Sequence, residues 1–200
     1  MLVSEMLAAF PEFSVWAFGT LPAARELARA VGLEPARELL KMGRPLKDEP
    51  APPVLEDYTI SAYREQDAEA VVEVNRLAFA HHPEQGRLTL DEFHQLTAQP
   101  WFSAAGLLVA RDSDGQVAGF HWTKRHDQTT GEVYVLAVHP DHGGHGLGRA
   151  LLEAGLAHLE AVGCTQVHLY VEGSQERVVR LYESARFDRI SMDTAYRAAA

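Results

Sequence analysis

Apolar residues recur at helical spacing from Asp67 to Phe79 ("DAEAVVEVNRLAF"), where Val71, Val74, Leu77 and Ala78 share one face and Asp67 suits an N-cap. A second helix is expected after Thr89 in "TLDEFHQLTAQ". The period then shortens. "GLLVA" (Gly106 to Ala110) reads as a buried strand, "DSDG" (Asp112 to Gly115) as a hairpin turn, and "QVAGFHWTK" (Gln116 to Lys124) as the partner strand. After the loop "RHDQTTG", the β-branched and aromatic content of "EVYVLAV" (Glu132 to Val138) predicts another strand. A helix from about Gly148 to Ala161 buries Leu152, Gly155, Leu156 and Leu159, and Gly163 stops it. Strand "TQVHLYVE", helix "SQERVVRLYESA" and strand "DRISMDTAY" complete a mixed α/β pattern.

The start of the chain repeats the order of its tail. Strand "FSVWAFG", helix "LPAARELARAVG" and strand "PARELLKM" parallel "VHLYVEG", "SQERVVRLYESAR" and "DRISMDTAY". Setting Gly19 against Gly173 aligns Leu27 with Leu181, Ala28 with Tyr182 and Leu33 with Phe187, as the remnant of a duplication would. Proline and acid in "PLKDEPAPPVLEDY" (Pro45 to Tyr58) disfavour helix and resist burial. The expected division is therefore a partial unit over 1–46, a linker over 47–57 and a complete domain over 58–200. The first piece is too short to bury a core by itself.

A formal net charge of −10 argues against a surface for nucleic acid or an anionic membrane, either of which needs clustered Lys and Arg. Small-molecule chemistry fits better. The single cysteine, Cys164, precludes an internal disulfide and suits a reducing compartment; between a helix stop and a strand it reads as a small buried side chain, not a nucleophile. No apolar run approaches a transmembrane span, and the opening "MLVSEMLAAF" lacks the basic and long apolar parts of a signal peptide. A soluble cytoplasmic protein, monomer or homodimer, is expected.

The candidate chemistry centres on "HPDHGGHGLGRALL" (His139 to Leu152), where Gly143, Gly144, Gly146 and Gly148 crowd a strand-to-helix turn. Glycine there exposes backbone N–H groups at a helix N-terminus, a concavity suited to phosphate. The Walker and dinucleotide spacings are both absent. His139, His142 and His145 recur every third residue, but flexible glycine between them gives a metal little preorganisation, so no metal is assigned. A glycine loop that only turns the chain is the plain alternative. With Val138 and Pro140 before it, the turn resembles the coenzyme A pyrophosphate loop of the GNAT superfamily of N-acetyltransferases. It departs from that pattern at Gly143, where Gln or Arg is usual, and His145 stands where a second basic residue is common.

The resemblance extends over Tyr58 to Ala200. "AFAHHPEQG", "FHWTK", "GEVYVLAV" and "LYVEGSQERVVRLYESARF" are similar to the mycothiol synthase family, and "VWAFGTLPAARELARAVGLEPARELLKMGRPL" looks like the end of that two-domain family's other GNAT half. The resemblance implies a GNAT fold with a mixed, mostly antiparallel sheet flanked by helices. It also implies acetyl transfer from acetyl-CoA, as co-substrate and without a metal, to the cysteinyl amine of cysteinyl-glucosaminyl-inositol. By position, Glu132 matches the general base and amine contact, and Tyr182 the acid near the leaving sulfur. Glu84, Lys124 and Tyr170 match substrate contacts. Leu136, Ala137 and Val138, the loop Gly143, Gly144, His145, Gly146, Leu147, Gly148 and Arg149, and then Gln175, Arg177 and Arg180 match the coenzyme-binding surface. Gln175 replaces a frequent Asn, and Arg186 precedes Phe187 where Gly is usual, at a turn that prefers φ above zero. Ala28 occupies the position equivalent to Tyr182, so the N-terminal piece is expected to be structural. Two other readings remain open: a GNAT acetyltransferase for another amine, such as an aminosugar or protein N-terminus, and a non-catalytic acyl-CoA-binding module.

Overall fold

The computed structural model describes residues 14–80, 82 and 85–198. Phe13, at the start of the first expected strand, and Glu84 lie outside the described residues. In chain order the elements are β1 (Val15–Ala17), α1 (Pro22–Ala30), β2 (Leu33–Pro45), β3 (Thr59–Ala62), α2 (Ala68–Ala78), α3 (Leu90–Thr97) and β4 (Leu107–Arg111). They continue with β5 (Val117–Arg125), β6 (Thr130–Val138), α4 (Leu147–Ala161), β7 (Gln166–Glu172), α5 (Glu176–Ser184) and β8 (Asp188–Ala198). The chain forms two compact units, one over 45–168 and one combining the residues up to 44 with those from 169 onward.

In the larger unit β3, β4, β5 and β6 pair antiparallel in succession. The start of β7 then adds in parallel, Thr130–Glu132 against Gln166–His168, making the sheet mixed and mostly antiparallel as expected. A register shift in β6 places Tyr134 and Val135 together with Phe120 and Trp122, packed against Val71 and Val74 of α2 and Phe93 of α3. Helix α4 covers other positions: Leu147 and Leu151 pack on Ala110, Ala118, Leu136 and Val138. Its approach to β5 requires Gly155, since a Cβ there would lie 2.0 Å from Nδ1 of the fully buried His121. His121 donates its Nδ1–H to the Leu151 carbonyl at 2.8 Å, leaving Nε2 unprotonated; burial holds its pKa down to about 4.

In the smaller unit β8 lies between β1 and β2, and β2 lies between β8 and β7. Each strand–helix–strand segment therefore spreads its two strands around the last strand of the other. Helices α1 and α5 are both nine residues long and start 154 positions apart, the same offset that aligns Gly19 with Gly173. Under that offset Leu39 corresponds to Asp193, and the two face each other in the antiparallel β2–β8 ladder. Both aligned glycines donate to the other segment's last strand: Gly173 N–H to the Glu38 backbone carbonyl at 2.7 Å, and Gly19 N–H to the Asp193 side-chain Oδ1 at 2.8 Å.

Several local expectations change. Asp67 does not cap α2; its carboxylate accepts the Arg64 N–H at 2.7 Å and forms a short ion pair with Arg111. The edge strand β3 was not foreseen in "YTISAY". Strand β2 is longer than the expected 35–42, and α1 ends at Ala30, before Gly32. The stretch after β2 has no helix, but it is anchored: Leu46 is buried and donates its N–H to Thr165, while Asp48 and Glu49 N–H groups donate to the Glu160 carboxylate.

Candidate active site

The turn after β6 leaves its amides open. Gly144 (φ +87) and Gly146 (φ +80) adopt the left-handed conformation that favours glycine, and a Cβ at either would meet nothing within 4 Å. Glycine is required here by backbone conformation, with open space left in front. The N–H groups of Gly144, His145, Gly146, Leu147 and Gly148 have no protein acceptor among the described residues, and the first α4 bond runs from Ala150 N–H to the Gly146 carbonyl. An anion is the natural partner of such a row at a helix start. The three histidines do not gather there. His139 and His142 meet edge to face at 5.7 Å, His142 Nδ1 is hydrogen-bonded to Tyr58 Oη at 3.0 Å, and His145 is exposed on the loop.

Upstream on the same strand, Glu132 is buried, and its Oε2 lies 2.6 Å from Nε2 of His126. Its ladder partners are Lys124 on β5 and His168 on β7. The Lys124 ammonium sits over Trp101 at 4.4 Å and Tyr134 at 5.1 Å from the ring centroids. Burial, and then the Glu132 charge, raise the pKa of Tyr134, keeping its phenol protonated.

Beside these residues a cleft opens between α3 and the sheet. Gln85, Arg87, Glu92, Gln95 and Gln99 supply polar groups; Trp122, Tyr134 and Val135 supply an aromatic and apolar floor. The buried indole N–H of Trp122 has no acceptor.

Residues 60–187 match the family model described as the Acetyltransferase (GNAT) family. The chain belongs to that GNAT family. Its similarity to a mycothiol acetyltransferase of Propionibacterium freudenreichii subsp. shermanii is 49% identity over 186 residues, covering 90% of this chain and 60% of that protein. The mycothiol acetyltransferase of Rhodococcus jostii is 44% identical over 207 residues, covering 98% of this chain and 68% of that protein. A GCN5-related N-acetyltransferase of Sphaerobacter thermophilus shares the fold, with TM-score 0.78 and 22% identity over 98% of this chain and 63% of that one. The chain spans about 60% of the length of the first relatives it matches. No helix among the described residues is long and apolar enough to cross a membrane.

In this GNAT chain the larger unit brings together Glu132, Lys124 and the strand that leads through Leu136 to Val138 into the glycine turn. Tyr170, Gln175, Arg177, Arg180 and Tyr182 belong to the smaller unit. Tyr182 is buried against Phe187 at 5.7 Å, and burial raises its phenol pKa. Tyr170 is exposed beneath the Lys41 ammonium, 5.6 Å from the ring centroid. Gln175 precedes α5 without a side-chain capping bond, Arg177 is exposed, and Arg180 forms an exposed 3.2 Å pair with Glu176. Arg149 pairs with Glu153 at 2.7 Å. Sequence reasoning missed the polar cleft, although Glu92, Gln95 and Gln99 recur at one-turn spacing on and just beyond α3. It also missed both histidines beside Glu132, which only the strand register brings to it.

Proposed function

We propose that this protein transfers acetyl from acetyl-CoA to the cysteinyl amine of cysteinyl-glucosaminyl-inositol, the acetylation that completes mycothiol, in the cytoplasm. The relatives' names support the acceptor. The reading rests chiefly on one observation: β6 carries a buried carboxylate, Glu132, and runs directly into a turn whose amides are unengaged. Acetyl-CoA would supply the acetyl group as an activated thioester, with its pyrophosphate on the amides from Gly144 to Gly148. The β6 backbone at Leu136 to Val138 would hold its arm, and Gly143 would contribute only backbone.

An ammonium cannot attack a thioester until it loses a proton, and Glu132 Oε2 is the assigned acceptor of that proton, directly or through one water. Displacing the His126 contact would free that oxygen. Tyr182 keeps the role given by the resemblance, proton donor to the departing thiolate; burial keeps its phenol protonated at neutral pH. The cleft would take the sugar and inositol: Gln and Glu side chains pair with hydroxyls, the rings stack against the ring carbons, and the Trp122 N–H gains an acceptor. Residues 1–46 are proposed as the tail of a second GNAT half with a structural role. The common 154-residue offset supports this.

The test is release of free coenzyme A with this acceptor. Glu132→Gln preserves shape and removes the base, so turnover should fall about 100-fold or more while acetyl-CoA still binds. Wild-type binding of acetyl-CoA without turnover of this acceptor would redirect the assignment to other amines. Failure with every amine would favour a binding module.

A further inference from the structure

Glu132 is one corner of a cluster that acetyl transfer does not require. The ligating atoms of His126, Glu132 and His168 all lie within 4.8 Å of one another. Two features hold the group in place. Glu132 and His168 are direct partners in the β6–β7 ladder, and the His126 and His168 rings stack with centroids 5.2 Å apart and planes 29° apart. His126 comes from the end of the β5–β6 hairpin, where Asp127 Oδ1 accepts the Thr129 and Thr130 N–H groups and fixes the turn. Three adjacent segments thus present two imidazoles and one carboxylate on common ground.

We infer that these three side chains form a binding site for one zinc-class divalent ion, and that its occupancy inhibits acetyl transfer by engaging Glu132. Two imidazoles and one carboxylate are a recurrent zinc donor set that leaves a fourth position for water. Imidazole content selects against magnesium and calcium, which take oxygen ligands. Donor atoms on a tetrahedral zinc lie about 3.3 Å apart, given zinc–ligand distances near 2 Å. The present separations are of that order: His126 Nε2 and Glu132 Oε2 lie 2.6 Å apart, and all three ligating atoms lie within 4.8 Å of one another. His126 is exposed, so its ring is free of the packing that would fix its rotamer. Lys124, opposite Glu132 in the ladder, turns its ammonium onto Trp101 and Tyr134. The inhibitory half of the inference rests on Glu132 being the base; the binding half does not.

Zinc titration of the full chain, read by a competing chromophoric chelator without substrates, tests the binding. Wild type should take up one tight equivalent, and His168→Gln and His126→Gln should each weaken that step at least ~10-fold. His142→Gln, which alters the other histidine pair, should leave it unchanged. Circular dichroism and thermal unfolding establish that each variant is folded. Equal affinity in wild type and folded His168→Gln, or loss of the step only in His142→Gln, would overturn the site. In the coenzyme A release assay, equimolar zinc should inhibit wild type and spare His168→Gln, and chelator should restore wild-type turnover. Undiminished turnover with the site filled would overturn the inhibition. Absence of turnover under all conditions would count against the acetyl-transfer reading and leave the binding result to stand.

Discussion

The two strand–helix–strand segments of the smaller unit follow the same order of elements and differ in chemistry. β1–α1–β2 and β7–α5–β8 share helix length, offset and the glycine that follows the first strand. Most aligned side chains differ, and two pairs bear on chemistry and backbone strain: Ala28 against Tyr182, and Gly32 against Arg186. In the first pair both residues are buried, but only the later copy carries a phenol. In the second, both residues occupy a left-handed position, Gly32 at φ +72 and Arg186 at φ +66. The Arg186 turn still makes both expected closing bonds: its own N–H to the Glu183 carbonyl at 3.0 Å, and Phe187 N–H to the Tyr182 carbonyl at 3.0 Å. The ring contact of Phe187 with Tyr182 completes that turn. Backbone geometry has thus been kept where side chains have diverged, and the later copy carries the conformational strain.

Four substitutions probe that asymmetry. The largest effect should come from Tyr182→Phe, with turnover about 100-fold lower and little change in melting temperature. Its counterpart Ala28→Leu should leave turnover per folded molecule unchanged and cost about 1–3 kcal/mol by overpacking Leu33 and Tyr196, measured by urea unfolding. Gly32→Ala should destabilise by about 1–2 kcal/mol, all from backbone strain, since a Cβ there meets nothing within 4 Å. Arg186→Gly should act oppositely, stabilising by about 1 kcal/mol and raising the melting temperature by a few degrees. A destabilised Arg186→Gly would mean the side chain compensates for its backbone.

Neither copy contains a buried histidine among the described residues, so acid sensitivity should arise elsewhere, at His121. Its folded pKa of about 4 lies below the unfolded value of about 6.5, so the unfolded chain binds the proton first. Stability is full above pH 6.5 and falls as pH drops toward 4, by up to about 3 kcal/mol. His121→Asn, which retains a donor for Leu151, should flatten that slope, whereas Arg186→Gly should only displace the curve.

Much of this arrangement was legible in the sequence. The amphipathic spacing of α1 and α5, the turn at Asp112 to Gly115 and the stop at Gly163 (φ +95) are local signals, and the chain obeys them. The length of β2 was hidden because Glu34, Arg37, Glu38, Lys41 and Arg44 interrupt its apolar positions, and its burial comes from strands far along the chain. Asp67 looked like a cap because its competitor, Arg111, stands 44 residues away. Within the candidate site, the glycine turn could be read from one contiguous stretch. The cleft and the histidines around Glu132 could not, because α3, β5, β6 and β7 each contribute one part.

The interleaving of β2 with β8 also sets a timetable for synthesis. A strand that leaves the ribosome early finds its partner only after Asp188 to Ala198 have been made, and its ladder joins residues such as Leu40 and Met192 across most of the chain. Until then, the Leu40 and Met42 side chains and a whole row of backbone groups wait uncovered, open to pairing with a neighbouring nascent chain. Slow translation, or loss of the last strand, should therefore appear first as aggregation.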